Sequence, residues 1–542
     1  MQAHDNDAVS AARRMSYGAQ LARCARKFPD RVAFQHGTRA VTFAELDERV
    51  SRLANALSAR GIERGSRVAV AMYNRIEVAE SYLAAARLGA IAVPVNFRLV
   101  AAEIAYILAD CGATALLADE RTAATCAEAA RDAAGPRAVL VAGDPAAYGP
   151  DAEPYEAVLA AAAPQDPGVD VPENDPAFLM YTSGTTGRPK GAVLTHFNLV
   201  MAAFTVLSAT GGVRREPDST LLGVPMFHIA GLGVTLRGLL DGGRVVIDAS
   251  SAFDPAALVD VLEKERITHC FLVPSQWQAV CAVPGIKDRE LALRTLIWGA
   301  SAAPPSVLES LRECFPEVPA YSAFGQTEMS PTTTVLRAED AVRKTGSVGT
   351  PLPGIEARIV DEEMRDVPVG DIGEIVYRGP TTMLGYWNKP AETAAAFAGG
   401  WFHSGDLCRM DEDGFIYVVD RKKDMIISGG ENIYCAEVEA VIDAHPGVAE
   451  VAVIGVDHPK WVQTPRAVVV PADPANPPAE QELIDHCRGR LASYKKPTSV
   501  VFVAAMPRNA SGKIQKFRLR EQYGTEEAAG PSTPGRAQSL GE

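Results

Sequence analysis

No two cysteines stand as CxxC, and no HExxH or similar cluster places His, Cys and acids at metal-ligand spacing, so nothing in the sequence specifies a zinc site. The nine cysteines are scattered and odd in number, which indicates no disulfide framework and fits a reducing compartment. No apolar run reaches the roughly 18 residues of a membrane span. The opening residues, MQAHDNDAVS, carry acids where a signal peptide would be basic and then apolar. Cations are scarce as well. Against 67 Asp and Glu there are 53 Lys and Arg, a formal charge of −14, which excludes a broad surface for nucleic-acid phosphates. The expectation is a cytoplasmic protein with no integral membrane segment and no nucleic-acid partner. Any anionic ligand must meet a local basic site.

What is present is an ordinary globular composition, 47% hydrophobic and 22% charged. At 542 residues the chain exceeds the roughly 250 to 300 at which one hydrophobic core stops growing, so two or more domains are expected. From Thr42 to Gly61, Leu46, Val50, Leu53 and Leu57 recur at three and four, and Thr42 with Glu45 forms a capping box. That spacing predicts an amphipathic helix. Short β-rich runs (67–72, 90–96, 113–119) alternate with helical patterns from about Glu77 and Ala101, the signature of layered α/β structure with parallel strands. The stretch Gly135 to Pro176, rich in Ala, Pro, Asp and Gly, reads as a surface excursion. Beyond Ile355 shorter strands suggest an antiparallel, barrel-like subdomain, and the runs AEVAVIGV and RAVVVPA suggest a small α+β unit. A boundary is expected at residues 420–423. The last residues, 525–542, have the composition of a disordered tail.

Chemistry concentrates first at Thr182 to Gly191, TSGTTGRPKG, directly after the apolar run AFLMY. Glycines let backbone N–H groups turn toward an anion, hydroxyls add donors and Lys190 adds a point charge, which together can replace the water around a polyphosphate. The spacing is not GxxxxGK[ST], so an ordinary P-loop is disfavoured. Read alone, the segment also fits a plain flexible glycine loop.

Six further motifs follow in order: WGAS (298–301), FGQTE (324–328), GSVGTPLPG (346–354), GWFHSGDL (400–407), DRKKDMIISGGENIY (420–434) and PRNASGK (507–513). With YTSGTTGRPKG they make the sequence resemble the adenylate-forming superfamily of acyl-CoA synthetases, adenylation domains and luciferases, from about Tyr17 to Tyr523. The resemblance implies a large N-terminal domain (1–419) of layered α/β subdomains plus a barrel-like subdomain. A hinge (420–423) centred on Lys423, a small mobile α+β domain (424–524) and the tail would follow.

It also implies roles for individual residues. Thr182, Ser183, Gly184, Thr185, Thr186, Gly187 and Lys190 would grip the polyphosphate of ATP. Glu328, with Thr182, would hold Mg²⁺, a hard cation suited to carboxylate and phosphate oxygens. Thr327 would donate near the α-phosphate, Phe324 would stack on adenine, and Ser301 and Gln326 would complete the AMP site. Asp406 would accept from both ribose hydroxyls, with Arg421 assisting. Lys513 would bridge the acid's carboxylate and the α-phosphate. His228, in PMFHIAG, would gate the acyl pocket. Gly429 and Gly430 would pass the thiol arm of CoA, with Trp461 near its adenine end. Relatives commonly read Trp-Gly-Glu where this chain has Trp461-Val462-Gln463.

The implied reaction has two halves, adenylation of an acid by Mg-ATP and then thioesterification to CoA. The expected partners are a small carboxylic acid, CoA or a carrier protein, and a second copy of the chain in a homodimer. Segments 222–238, 273–280, 298–302 and 324–335 are mostly apolar or small, which implies an apolar acid. The first holds no aspartate to pair with an α-ammonium, which disfavours amino acids. Small residues Ala230, Gly231 and Gly233 suggest room for a bulky acid. The rival functions are adenylation with transfer to a carrier protein or a second enzyme, and a luciferase-like oxygenase. A kinase or ATPase would release ADP, and a non-enzymatic nucleotide-binding module would leave the joint presence of Glu328, Asp406, Arg421 and Lys513 unexplained.

Overall fold

The computed structural model describes residues 12–132, 135–182, 188–212, 218–248, 253–299, 303, 305–428, 431–508 and 513–525. They divide into two compact units: 1–357 with 377–403 and 414–416, and 358–376 with 404–413 and 417–542.

In the first unit the helix Phe43–Ala59 begins at its capping box, with Thr42 Oγ1 accepting from Glu45 N (3.2 Å) and Glu45 Oε2 from Thr42 N (2.8 Å). Such a cap stabilises a helix by about 1 kcal/mol. Leu46, Val50, Leu53 and Leu57 are all fully buried, so the three–four spacing did mark the core face.

An eight-stranded sheet runs in the order Gly385–Tyr386, Lys190–Thr195, Pro176–Thr182, Ile91–Pro94, Arg67–Ala71, Ala115–Asp119, Ala138–Ala142, Glu153–Pro154. From Pro176–Thr182 onward neighbours are parallel, whereas Lys190–Thr195 turns back antiparallel on Pro176–Thr182. Runs such as ALLAD and AVLVA are apolar at nearly every position and buried throughout, because helices cover both faces of a parallel sheet. A nine-stranded sheet, with a parallel centre from Val32–His36 through Ala320–Gly325, completes this unit's framework.

The stretch 135–176 differs from its reading as a surface excursion. Its Ala138–Ala142 is a buried strand of the eight-stranded sheet, and Tyr155, fully buried, donates to Glu80 Oε2 at 2.8 Å. Five apolar residues between turn formers carry too short a pattern to outweigh the Pro, Asp and Gly around them.

The second unit holds most of a four-stranded sheet (Glu356–Val360, Gly373–Arg378, Phe402–Met410, Ile416–Arg421) and a five-stranded sheet built on the hairpin Val448–His458 and Val462–Pro471. Helix Cys435–Asp443 lays Val438 and Ile442 against Val453 and Val469 of that hairpin. All nine cysteines are free thiols, and seven are buried. Among the described residues no helix is long and apolar enough to cross a membrane.

Candidate active site

The glycine-rich segment is a hairpin whose two stems are moored to one helix. Thr182 and Lys190 face each other at the ends of Pro176–Thr182 and Lys190–Thr195, with Thr182 Oγ1 donating to the Lys190 carbonyl at 3.4 Å. Tyr181 donates its phenol to Asp110 Oδ2 (2.6 Å), and Tyr106 donates to the Pro189 carbonyl (3.1 Å). Asp110 and Tyr106 both belong to helix Ala101–Cys111, so the stems hold a fixed spacing. Ser183, Gly184, Thr185, Thr186 and Gly187 lie outside the described residues, as do Ser301, Gly429 and Gly430.

The FGQTE residues continue the strand Ala320–Gly325 into the short turn Thr327–Met329. Gly325, at φ +157°, passes so close to the chain that a Cβ would lie 1.9 Å from the Pro331 carbonyl oxygen. Phe324 is half-buried, and the buried Nε2 of Gln326 has no hydrogen-bond partner among the described residues, a donor suited to a polar ligand. Glu328 is buried, and its Oε1 accepts from the phenol of Tyr386 at 3.0 Å. The other face of this tyrosine meets Lys190, whose ammonium lies 4.7 Å from the ring centroid. Tyr386, absent from the sequence-level candidates, thus touches two residues that sequence had assigned separately. Its only signal was a Gly-Tyr pair after a turn, which reads as core.

His228 caps helix Ile229–Asp241, its Nδ1 accepting from Ala230 N at 3.5 Å. Of the small residues after it, Gly231 is committed to packing: a Cβ there would lie 2.0 Å from the Pro225 carbonyl oxygen. Gly233 faces open space, with nothing within 4 Å of a built Cβ. Of these two glycines, only Gly233 could carry a side chain without meeting another described atom.

In the second unit Asp406 is buried within Phe402–Met410, and its Oδ1 receives Arg421 Nε at 2.5 Å. The neighbourhood is rigidly tied. Ser404 donates to the Ile375 carbonyl (2.6 Å), its Oγ accepts from Asp406 N (3.0 Å), and Glu374 takes both Gly405 N (3.0 Å) and the Lys422 ammonium (3.2 Å). A carboxylate and a guanidinium are thereby aimed as one acceptor–donor set. Lys423 follows, exposed, ahead of strand Ile426–Ser428. Lys513 is exposed, one residue before Ile514, which bridges antiparallel to Arg508.

Trp461 is exposed, and its ring carries the Lys460 ammonium at 4.4 Å. Val462 pairs with Ser428, so the hairpin tip flanks the chain leading to Gly429. Val462 adopts φ +70°, a left-handed conformation that costs a β-branched residue about 1–3 kcal/mol and glycine little. A glycine at this position would relieve the strain. Val462→Gly is expected to raise unfolding stability by about 1 kcal/mol in urea titration, after discounting glycine's greater unfolded-state freedom; a loss of stability would contradict the strain.

Hairpin stems fixed by two tyrosines, a buried carboxylate beside them, and a buried carboxylate paired with a guanidinium all fall within the ordered motifs that resemble adenylate-forming enzymes. Hard oxygen donors at Glu328 and Thr182 fit Mg²⁺, which is usually held by one or two carboxylates plus substrate phosphates. Family comparison agrees: residues 21–387 match the AMP-binding enzyme family, and 437–513 match the AMP-binding enzyme C-terminal domain. The chain is 42% identical to a feruloyl-CoA synthase of Amycolatopsis sp over 514 residues, 94% of this chain and 100% of the relative. It is 38% identical to the long-chain-fatty-acid–CoA ligase FadD13 of Mycobacterium tuberculosis, over 89% of this chain and 93% of the relative. Its fold matches the o-succinylbenzoate CoA synthetase MenE from Bacillus subtilis in complex with the acyl-adenylate intermediate OSB-AMP. That match has a TM-score of 0.82 at 32% identity and covers 92% and 97% of the two chains. The same synthetase is also solved with ATP and a magnesium ion. The chain belongs to the AMP-binding enzyme family. Within it, this is an AMP-forming acid–thiol ligase, an acyl-CoA synthetase that uses ATP, Mg²⁺ and CoA.

Proposed function

We propose that the acid is an aromatic carboxylate of the phenylpropenoate type, activated in the cytoplasm and passed to the CoA thiol. The observation that carries this is the open space at Gly233 in the first turns of helix Ile229–Asp241, in a chain that matches a feruloyl-CoA synthase along that relative's whole length. A flat ring needs such a gap, whereas a long alkyl chain can bend around a side chain. The nine free thiols support a reducing compartment.

In the first half-reaction one oxygen of the acid's carboxylate attacks the α-phosphorus of ATP, the bond from that phosphorus to the bridging oxygen breaks, and pyrophosphate leaves. Lys513 offsets the charge that gathers between carboxylate and α-phosphate, and Thr327 donates to the same region. Thr182, Lys190 and the intervening loop grip the leaving pyrophosphate, Asp406 and Arg421 fix the ribose, and Phe324, Gln326 and Ser301 hold the base and α-phosphate. Glu328 and Thr182 would hold magnesium, which supplies positive charge at the phosphates. In the second half the CoA sulfur attacks the acyl carbonyl and AMP departs. Rotation about Lys423 within 420–423, the boundary between a 1–419 domain and a 424–524 domain, would exchange Lys513 for the Gly429-Gly430 passage, with Trp461 beside it. His228, already held as a helix cap, would gate the acyl pocket. Positioning and charge neutralisation do this work, without a side-chain nucleophile.

A panel of carboxylic acids scored separately for pyrophosphate release and for thioester formation with CoA tests the proposal. Turnover confined to aliphatic acids would overturn the substrate class. Gly233→Leu is expected to lower kcat/KM for phenylpropenoates at least about 10-fold, since a branched side chain would fill their space, and to spare acetate or propionate. Equal losses on all acids would mean that Gly233 does not line the pocket.

A further inference from the structure

Lys190 and Glu328 are a cation and an anion from distant parts of the chain, and one aromatic side chain touches both. The Lys190 ammonium lies 4.7 Å from the Tyr386 ring centroid, and the Tyr386 hydroxyl donates to Glu328 Oε1 at 3.0 Å. The tyrosine is held in place by its backbone. Gly385 and Tyr386 form an edge strand on Lys190–Thr195 in register with Val193 and Ala192, and Trp387 N donates to the Gly191 carbonyl at 2.8 Å. On the other side Tyr386 N donates to Thr393 Oγ1 at 2.9 Å, and Met383 N donates to the Glu328 carbonyl at 2.8 Å. The same short segment therefore fixes the tyrosine against the lysine strand and against the glutamate turn.

We propose that Tyr386 is a positioning residue that keeps Lys190 and Glu328 from neutralising each other, so that one remains a cation for the polyphosphate and the other an anion for its metal. In a partly desolvated site, opposite charges a few ångströms apart attract strongly. A direct Lys190–Glu328 ion pair would consume both groups before the nucleotide arrived. Tyr386 gives each a weaker partner: a ring face for the ammonium, and a phenol proton for one carboxylate oxygen, which leaves the second oxygen available. The inference rests on the adenylation reading above.

The test measures equilibrium binding of ATP by calorimetry at varied Mg²⁺, without acid, on the wild type, Tyr386→Phe, Tyr386→Leu, Lys190→Met and the Lys190→Met/Tyr386→Leu double variant. Tyr386→Phe keeps the ring and loses the donor. It is expected to raise the Mg²⁺ needed for half-maximal ATP binding about 10-fold, with affinity at saturating Mg²⁺ within about 3-fold of wild type, the scale of one hydrogen bond to a charged group. Tyr386→Leu removes both contacts, lets the pair close, and weakens Mg-ATP binding at least about 10-fold. Lys190→Met then costs little in the leucine background although it costs much alone, because the lysine is already occupied; groups in contact depart from additivity in this way. Additive losses, or an unchanged Mg²⁺ dependence in Tyr386→Phe, would overturn the proposal. The phenylalanine variant, nearly isosteric, keeps the test decisive if the leucine variant fails to fold. Wild-type protein that releases no pyrophosphate with any acid would instead defeat the adenylation reading, and this inference with it.

Discussion

Lys513→Ala is expected to lower acyl-adenylate formation by about 10²- to 10³-fold, the scale on which a single preorganised donor to developing charge acts. The lysine is exposed, so its loss opens no cavity in the core and the unfolding midpoint should move little. Lys516, three residues on, offers the contrast. Its ammonium pairs with Glu439 at 2.7 Å, and Lys516→Ala should cost stability and leave adenylation much less affected. The two half-reactions separate the role further. Supplied with presynthesised acyl-AMP and CoA, Lys513→Ala should still make thioester at a rate near that of wild type. Pyrophosphate release at a wild-type rate would show that Lys513 has no part in the first step.

Asp406→Ala is expected to lower kcat/KM for ATP by about 10²- to 10⁴-fold. Two hydrogen bonds from ribose hydroxyls to a carboxylate are each worth about 1.5–3 kcal/mol. The carboxylate is buried and cannot be replaced by water without disturbing the strand, and its loss leaves the Arg421 guanidinium without the partner now 2.5 Å away. Nucleotide analogues decide whether the defect belongs to the ribose. Wild-type protein should discriminate against 2′,3′-dideoxy-ATP by nearly the full factor, and Asp406→Ala should hardly discriminate at all. If the variant rejects the dideoxy nucleotide as strongly as wild type does, the ribose contact is not made by Asp406.

The sequence made legible those features whose cause is local. The capping box at Thr42 and Glu45, the buried stripe from Leu46 to Leu57 and the apolar strands beside them depend on spacings of two to four residues, and these survive into the fold. The apolar run AFLMY before the glycine-rich segment is likewise a strand, Pro176–Thr182, whereas the antiparallel return strand Lys190–Thr195 was not legible. What spacing could not convey is contact at a distance. The Tyr386–Glu328 hydrogen bond joins residues 58 positions apart, and Tyr181 reaches Asp110 across 71. Gly231 and Gly233 look equivalent as letters, yet one is packed on the Pro225 carbonyl and the other faces open space. Val462 appeared as a departure from the common glycine, and only its φ of +70° gives the departure a physical cost.

The buried thiols carry a consequence for product yield. An acyl-adenylate is a strong electrophile awaiting a thiol, and a protein with nine cysteines could intercept it and acylate itself. Thiolates, not thiols, make that attack. Burial pushes Cys111, Cys126 and Cys435 up to about 12, and Cys408, two residues from Asp406 on the same strand, well above its ordinary range. Each stays protonated and out of reach at neutral pH. These four thiols are thereby kept from the adenylate, which leaves the incoming pantetheine thiol without competition from them.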